Sequence, residues 1–372
     1  MLERLTIIIP TVARPDFVLR QFEYWRGLGP RVFILDGAPM PMSIPEELLS
    51  DNVQYVHSGK RFNERLATAS QYVETEFCAL LPDDEFYLPS GLRSAITHLD
   101  KNPLVVGCVG RCLYFFVDQD RFLVRDAYRD WAPFPTDAES VELRLDADLP
   151  PTKTHKAQFA VLRSSAWKKM FETSYRTYYS CGYTYERFLN LQRTVLGRTD
   201  IIESLLWMRS MENPPISNVS VPRIGGRDFV SWATNPDFAE EFAMFRSAAT
   251  SIIQESGLPQ EQVMSFEERF SLGGVERQRS KEQRNKRKLT HRLRKLIFRY
   301  SPKWLSKLVK RWLPNQLLSF TGWQGHDLQT MCELLRSCGT SFEVTEIERI
   351  ECLALNLDRQ ARSRKTKASS SR

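Results

Sequence analysis

The chain has 372 residues, 42% of them hydrophobic and 11% aromatic, which is the make-up of a globular protein with a sizeable core, as one large domain with an appendage or as two domains. No run of about 18 uncharged apolar residues offers a membrane span, and the charged residues ahead of "TIIIP" lack the layout of a secretory signal, so a cytosolic chain is expected. The formal charge of +7 is uneven: residues 277–311 hold fifteen Lys or Arg and one acid, Glu282, a net +14, so the remainder carries 7 − 14 = −7.

Short β-branched runs alternate with longer amphipathic stretches, the mark of an α/β chain with a largely parallel sheet. "LTIIIP" (5–10) predicts a buried strand ended by Pro10, and "DFVLRQFEYWRGL" (16–28) a helix with Phe17, Leu19, Phe22, Trp25 and Leu28 on one face and Asp16 as its cap. "RVFILDG" (31–37) and "VQYVHS" (53–58) follow as strands, "FNERLATASQYVE" (62–74) as a helix, and "EFCALLP" (76–82) as the fourth strand. A helix near 89–99 leads to two adjacent strands, 104–118 and 121–128. The Asp- and Pro-rich stretch 132–153 reads as an excursion, 156–171 as a strand running into a helix, 183–197 as a helix stopped by Gly197, and 236–256 as another helix. The seven cysteines are scattered, without CxxC pairs or histidines at metal-finger spacing, and read as reduced thiols.

Parallel strands bring their carboxyl-terminal loops to one edge of a sheet, where open α/β sheets bind ligands. "PTVARP", "DG", "SGKRFNER" and "PDDE" are those loops, so Arg14, Asp36, Arg65, Asp83, Asp84 and Glu85 should be neighbours. Basic groups suit phosphate, lone carboxylates suit ribose or base, and clustered carboxylates suit magnesium or manganese. The set predicts a nucleotide diphosphate site.

"TIIIPTVARPDFVLRQFEYW", "FILDG" and above all "LLPDDEFYLPSGL" resemble nucleotide-sugar glycosyltransferases of the GT-A fold, in particular the bacterial family-2-like group with an LPDDD-type motif; the likeness covers about residues 4–215. It implies a GT-A-type (Rossmann-like), mostly parallel sheet with helices on both faces. The activity it implies is metal-dependent, inverting transfer of a sugar from a UDP-sugar to a glycan or lipid-linked acceptor, in surface polysaccharide or glycoconjugate synthesis. Carried over by position, Pro10, Thr11 and Arg14 line the nucleotide, Asp36 takes base or ribose, and Arg65 approaches base or diphosphate. Asp83 and Glu85 occupy the acidic places of a D-x-D signature and hold Mn2+ or Mg2+, with Asp84 between them on the ribose side; Glu85 stands where the group has Asp. Glu186 is the matching general base, with Glu172 or Asp200 as alternatives; Arg209 is a diphosphate ligand, and His155 and Gln158 stand on the acceptor side. A sugar nucleotidyltransferase would open with a glycine-rich basic loop, which "PTVARPD" lacks; an inactive glycosyltransferase-like binding protein is the other alternative.

On this reading residues 1–225 form the catalytic domain, 226–275 a helical extension packed on it, 276–313 basic amphipathic helices broken at Pro302, 314–358 a small segment, and 359–372 a disordered basic tail. An apolar stripe with Trp304 and Trp312 runs through the basic arm. Nucleic acid is a partner on charge alone; stripe and charge together favour an anionic membrane surface, met through residues 281–313 on the inner face of the cytoplasmic membrane.

Overall fold

A computed structural model describes residues 1–118, 120–127, 138–149, 159–211, 229–273, 275 and 325–370. Nine strands form one sheet. They are β1 (Leu5–Thr11), β2 (Arg31–Asp36), β3 (Val53–His57), β4 (Phe77–Leu80), β5 (Phe86–Tyr87), β6 (Val105–Asp118), β7 (Arg121–Asp126), β8 (Val161–Arg163) and β9 (Arg198–Ser210). Their order is β3-β2-β1-β4-β8-β6-β9-β5, with β7 beside β6. The first four in this order run parallel, and β8, antiparallel to both β4 and β6, turns the pairing so that β6 and β9 point the same way as β1. The expected mostly parallel α/β sheet is therefore present, with β5, β7 and β8 reversed.

Helix α1 (Pro15–Trp25) joins β1 to β2, and α2 (Phe62–Ala67) joins β3 to β4. One crossover steps outward along the sheet and the other back, so right-handed connections place the two helices on opposite faces. Ile7, Ile8 and Ile9 of β1 have no exposed surface, which is why "TIII" is a continuous apolar run rather than an alternating one. Each such side chain removed from water contributes about 1.5–3 kcal/mol.

The second half of the sheet is held from the α3 side. Helix α3 (Pro89–Lys101) lies against β9 so closely that a Cβ at Gly91 would stand 2.3 Å from the Leu205 carbonyl oxygen. On the other side α5 (Ser164–Tyr175) packs on α2 and on α6 (Tyr183–Leu196), which also carries α4 (Val141–Asp148) and α8 (Ala239–Gln254). The short α7 (Phe229–Thr234) and α9 (Gln260–Ser271) flank α8, and Phe188, Phe229, Trp232, Phe245 and Phe270 interlock there. Gly197 ends α6 in an extended conformation; its missing side chain matters because a Cβ would meet Val106 Cγ1 at 2.5 Å.

Three local expectations need correction. The helix expected over 62–74 stops at Ala67, where the Thr68 hydroxyl donates back to the Glu64 carbonyl at 2.9 Å, and a short 3-10 turn follows. Asp16 does not cap α1, which begins with Pro15 at its first position. The last segment is ordered as α10 (Leu328–Ser337) and α11 (Val344–Ser370), so a helix occupies positions 359–370, where composition predicted disorder. Arg, Gln, Lys and Ala there are good helix formers with no Gly or Pro among them. The basic arm, His155 and Gln158 lie outside the described residues. Among the described residues no helix is long and apolar enough to cross a membrane.

Candidate active site at the carboxyl edge of the sheet

The chain places its acidic trio at the mouth of the core because three guanidiniums, those of Arg14, Arg20 and Arg209, meet it there. The turn Pro82–Glu85, closed by Glu85 N–H to the Pro82 carbonyl at 3.2 Å, follows β4 at the edge where β1 and β2 also end. Asp83 and Glu85 are buried and Asp84 is partly so. The Thr11 hydroxyl donates to Asp83 Oδ2 at 2.6 Å, Arg14 Nη1 pairs with Asp83 Oδ1, and Arg14 Nη2 stands 3.3 Å from Asp84 Oδ2. Arg20 Nη2 donates to the Asp84 carbonyl at 3.0 Å, and Arg209 Nε lies 3.3 Å from Glu85 Oε1. An opposite charge at about 4 Å contributes about 4 kcal/mol at an effective dielectric of 20, which offsets repulsion within the trio. Burial still dominates at Asp83. It pushes the carboxyl up to about 6, helped by Asp84 and opposed by Arg14, Thr11 and Arg20.

Helix α1 holds this turn from behind. Gln21 Nε2 donates to the carbonyls of Asp83 (2.9 Å) and Glu85 (2.8 Å), and Trp25 Nε1 fixes Gln21 by donating to its Oε1 at 2.8 Å. Tyr24 and Tyr87 hydroxyls donate to the Tyr87 and Leu80 carbonyls, each at 2.7 Å. None of these supports carries a motif, and a glutamine on the buried face of an amphipathic helix is the one signal that could have pointed to them.

Asp36 ends β2 with both oxygens engaged: the Ala38 N–H donates to Oδ1 at 2.8 Å and the Tyr55 hydroxyl to Oδ2 at 2.6 Å. Burial, then this hydrogen bond, push the Tyr55 phenol up to about 12. Arg65 lies at the same edge but is only 3% exposed. Its Nη1 donates to the Thr11 carbonyl at 2.7 Å and to the Leu35 carbonyl, bracing the ends of β1 and β2, and burial lowers its pKa. Its guanidinium fills the space beside Gly37, where a Cβ would stand 2.6 Å from Cζ. The predicted neighbours Thr11, Arg14, Asp36, Arg65 and Asp83–Glu85 are thus brought together, with Pro10 partly buried beside them and Arg209 arriving from β9.

Glu186 is half-buried in the first turn of α6, and after burial its charge is the next cause raising the Tyr175 phenol pKa. Tyr175 stacks on Tyr185 at 4.9 Å and meets Phe62 of α2 edge-on at 5.8 Å, which sets Glu186 on the rim between α2, α5 and α6. Glu172 is exposed on α5. Asp200 stands at the opposite edge of the sheet, at the start of β9, with His98 Nε2 at 2.8 Å and Arg198 Nε at 3.0 Å, and is removed from the candidates for the base.

The donor chemistry suits a hard divalent cation: adjacent carboxylates, two of them buried. Among the described residues no three His, Cys, Asp or Glu are gathered as a complete ligand set. Magnesium-type sites use one or two carboxylates and complete their shell with substrate phosphates and water, and Asp83 and Glu85 fit that partial role.

No protein-family model and no curated protein matches the chain. Similar solved structures are crystal structures of S. aureus TarS. One is 11% identical, with 69% of this chain and 50% of that chain covered at a TM-score of 0.38; this chain thus spans half its length. TarS 1–349 is 10% identical over 70% of this chain and 82% of that one, TM-score 0.38. Its complex with UDP-GlcNAc is 11% identical over 70% and 83%, TM-score 0.37. Superpositions this loose do not place residues.

Proposed function

We propose that the chain is a nucleotide-sugar-dependent glycosyltransferase acting on a glycan or lipid-linked acceptor. One observation carries the reading: the loops after β1, β2 and β4, which hold the resemblance to GT-A glycosyltransferases, converge with Arg209 on one edge of the sheet. Thr11, Pro10 and Asp36 would receive the nucleoside, and Tyr55 would orient Asp36 for a ribose or base hydrogen bond. Arg14 and Arg209, now paired with the acidic turn and each about a third exposed, would turn toward the diphosphate. Arg65 contributes charge and braces the loops. Asp83 and Glu85 would hold Mn2+ or Mg2+, which when bound neutralises the leaving diphosphate. Glu186 would take the proton of the attacking acceptor hydroxyl, in inverting transfer. The basic segment 281–313 would seat the enzyme on an anionic inner membrane surface, where a lipid-linked acceptor is presented.

Thermal stability measured with UDP-, GDP- and CMP-sugars, with and without manganese, tests the reading. One donor should stabilise the protein in a metal-dependent way, and Asp83→Ala with Glu85→Ala should abolish both that shift and transfer. Full transfer by the double variant would reject the assignment. Glu186→Gln should keep donor binding and lose transfer; donor binding by a wild type without transfer to any acceptor would favour a binding protein.

A further inference from the structure

A groove of about 680 Å³ lies along α3, between it, β9 and the α10–α11 connection, within the range of about 300–1,000 Å³ typical of ligand sites. Nothing in the donor site uses it. Arg93, Thr97 and Lys101 recur at intervals of four along α3 and so present one face, and Arg336 of α10 lines the groove with them. Arg93 reaches Glu346 at 3.4 Å, whereas Arg336 lies over the Phe342 ring at 5.5 Å. Against Arg93, Lys101 and Arg336 stand two carboxylates, Glu343 in the lining and Glu346 beside it. The rest is rich in hydroxyls, and one of them is unsatisfied: Thr340, 5% exposed, lines the groove with its Oγ1 buried and without a hydrogen-bond partner.

Cations spaced along a hydroxyl-lined trough suit a hydrated, anionic, polyhydroxylated chain. The lining has two aromatic rings: Phe342 carries Arg336 on its face, and the imidazole of His98 is held by Asp200 at 2.8 Å, so the groove lacks the row of open stacking surfaces that single-stranded nucleic acid needs. An eleven-residue advance from Ser90 to Lys101 spans about 16 Å of helix, long enough for more than one sugar unit. The Ser90 end is five residues from Glu85 along the chain. We propose that this groove binds an acidic stretch, carboxylate- or phosphate-bearing, of a sugar chain. As a subsite for the acceptor it rests on the glycosyl-transfer reading; as a binding site it does not.

Fluorescence anisotropy of the full chain with a labelled oligogalacturonate hexasaccharide, its methyl ester, and a phosphorylated oligomannoside tests this, alongside UDP-sugar binding on the same samples. Expected are binding of at least one acidic oligosaccharide, weakening between 50 and 200 mM salt, no binding of the methyl ester, and at least a tenfold loss in Lys101→Glu with Arg336→Glu. Both substituted side chains are exposed, so that variant should keep its melting temperature and UDP-sugar affinity. Acidic-oligosaccharide binding unchanged by the charge reversals is binding elsewhere on the chain and overturns the proposal, as does no binding by the wild type at 50 mM salt. Should the acidic chain bind through the groove while no UDP-sugar binds, the groove stands and the transfer reading falls.

Discussion

The clamp between β1 and β2 can be tested by Gly37→Ala. The added Cβ would stand 2.6–2.7 Å from Arg65 Cζ, Nε and Nη2, so the guanidinium must leave its place. Arginine is a long side chain and could swing away cheaply at a surface, but Arg65 is 3% exposed and donates to the carbonyls of Thr11 and Leu35. A hydrogen bond from a charged group contributes about 1.5–3 kcal/mol, so losing two removes about 3–6 kcal/mol. Burial already lowers the pKa of this guanidinium, which argues for the lower end, about 3 kcal/mol. Urea unfolding followed by tryptophan fluorescence measures the loss, and under the glycosyl-transfer function proposed above calorimetric titration with a UDP-sugar should show affinity falling about tenfold as the two loops loosen. In an Arg65→Met background the same glycine substitution should cost less than about 1 kcal/mol, because the charged bonds are already gone. A cost under about 0.5 kcal/mol in the wild-type background, or the same cost in both, would refute the brace.

Asp83→Asn separates a pH effect. The native carboxyl titrates near 6 against an ordinary 3.8, so the fold binds its proton more tightly than the unfolded chain does. The stability this contributes is complete below about pH 3.8 and lost as pH rises through 6, by about 3 kcal/mol at 1.36 kcal/mol per unit. Urea midpoints across pH 4–7 should therefore fall in the wild type relative to Asp83→Asn, and parallel curves would contradict it. Gly91→Ala should destabilise by about 3 kcal/mol, since the clash is with the backbone of Leu205 and Leu206 and only a shift of α3 relieves it; a melting temperature within a degree of wild type would show that α3 can move freely. Arg209→Ala leaves the buried Glu85 without its 3.3 Å partner and should lower stability by about 1–3 kcal/mol in denaturant unfolding, with Arg209→Lys recovering part; equal stability of all three proteins would count against the pair.

The parallel half of the sheet was legible because buried strands such as "TIII" and "FCALL" are apolar on both faces, and their loops then had to share an edge. What lay beyond that rule was not. Strand β5 is two residues long, too short for any periodicity, and β9 mixes Asp200, Glu203 and Arg209 with "SLLWM" because it runs from one edge of the sheet to the other. Arg65 was expected near base or diphosphate, since sequence shows a charge just past a strand end but not that α2 turns it inward against the carbonyls of β1 and β2. Asp200 was open as a base because its place in the chain says nothing of which end of β9 it occupies. The groove could not be foreseen: it joins α3 to residues more than 200 positions later.

That distance has a consequence for how the protein folds. Glu346 of α11 accepts the Ser90 N–H at the start of α3, 256 residues earlier, and Arg349 donates to the Tyr24 carbonyl at the end of α1, 325 residues earlier. Both helices flank the acidic turn, and each has one of its ends closed only by residues far along the chain. Support of the acidic turn therefore depends on contacts that span most of the described chain, and such contacts close slowly because the loop between their partners is long.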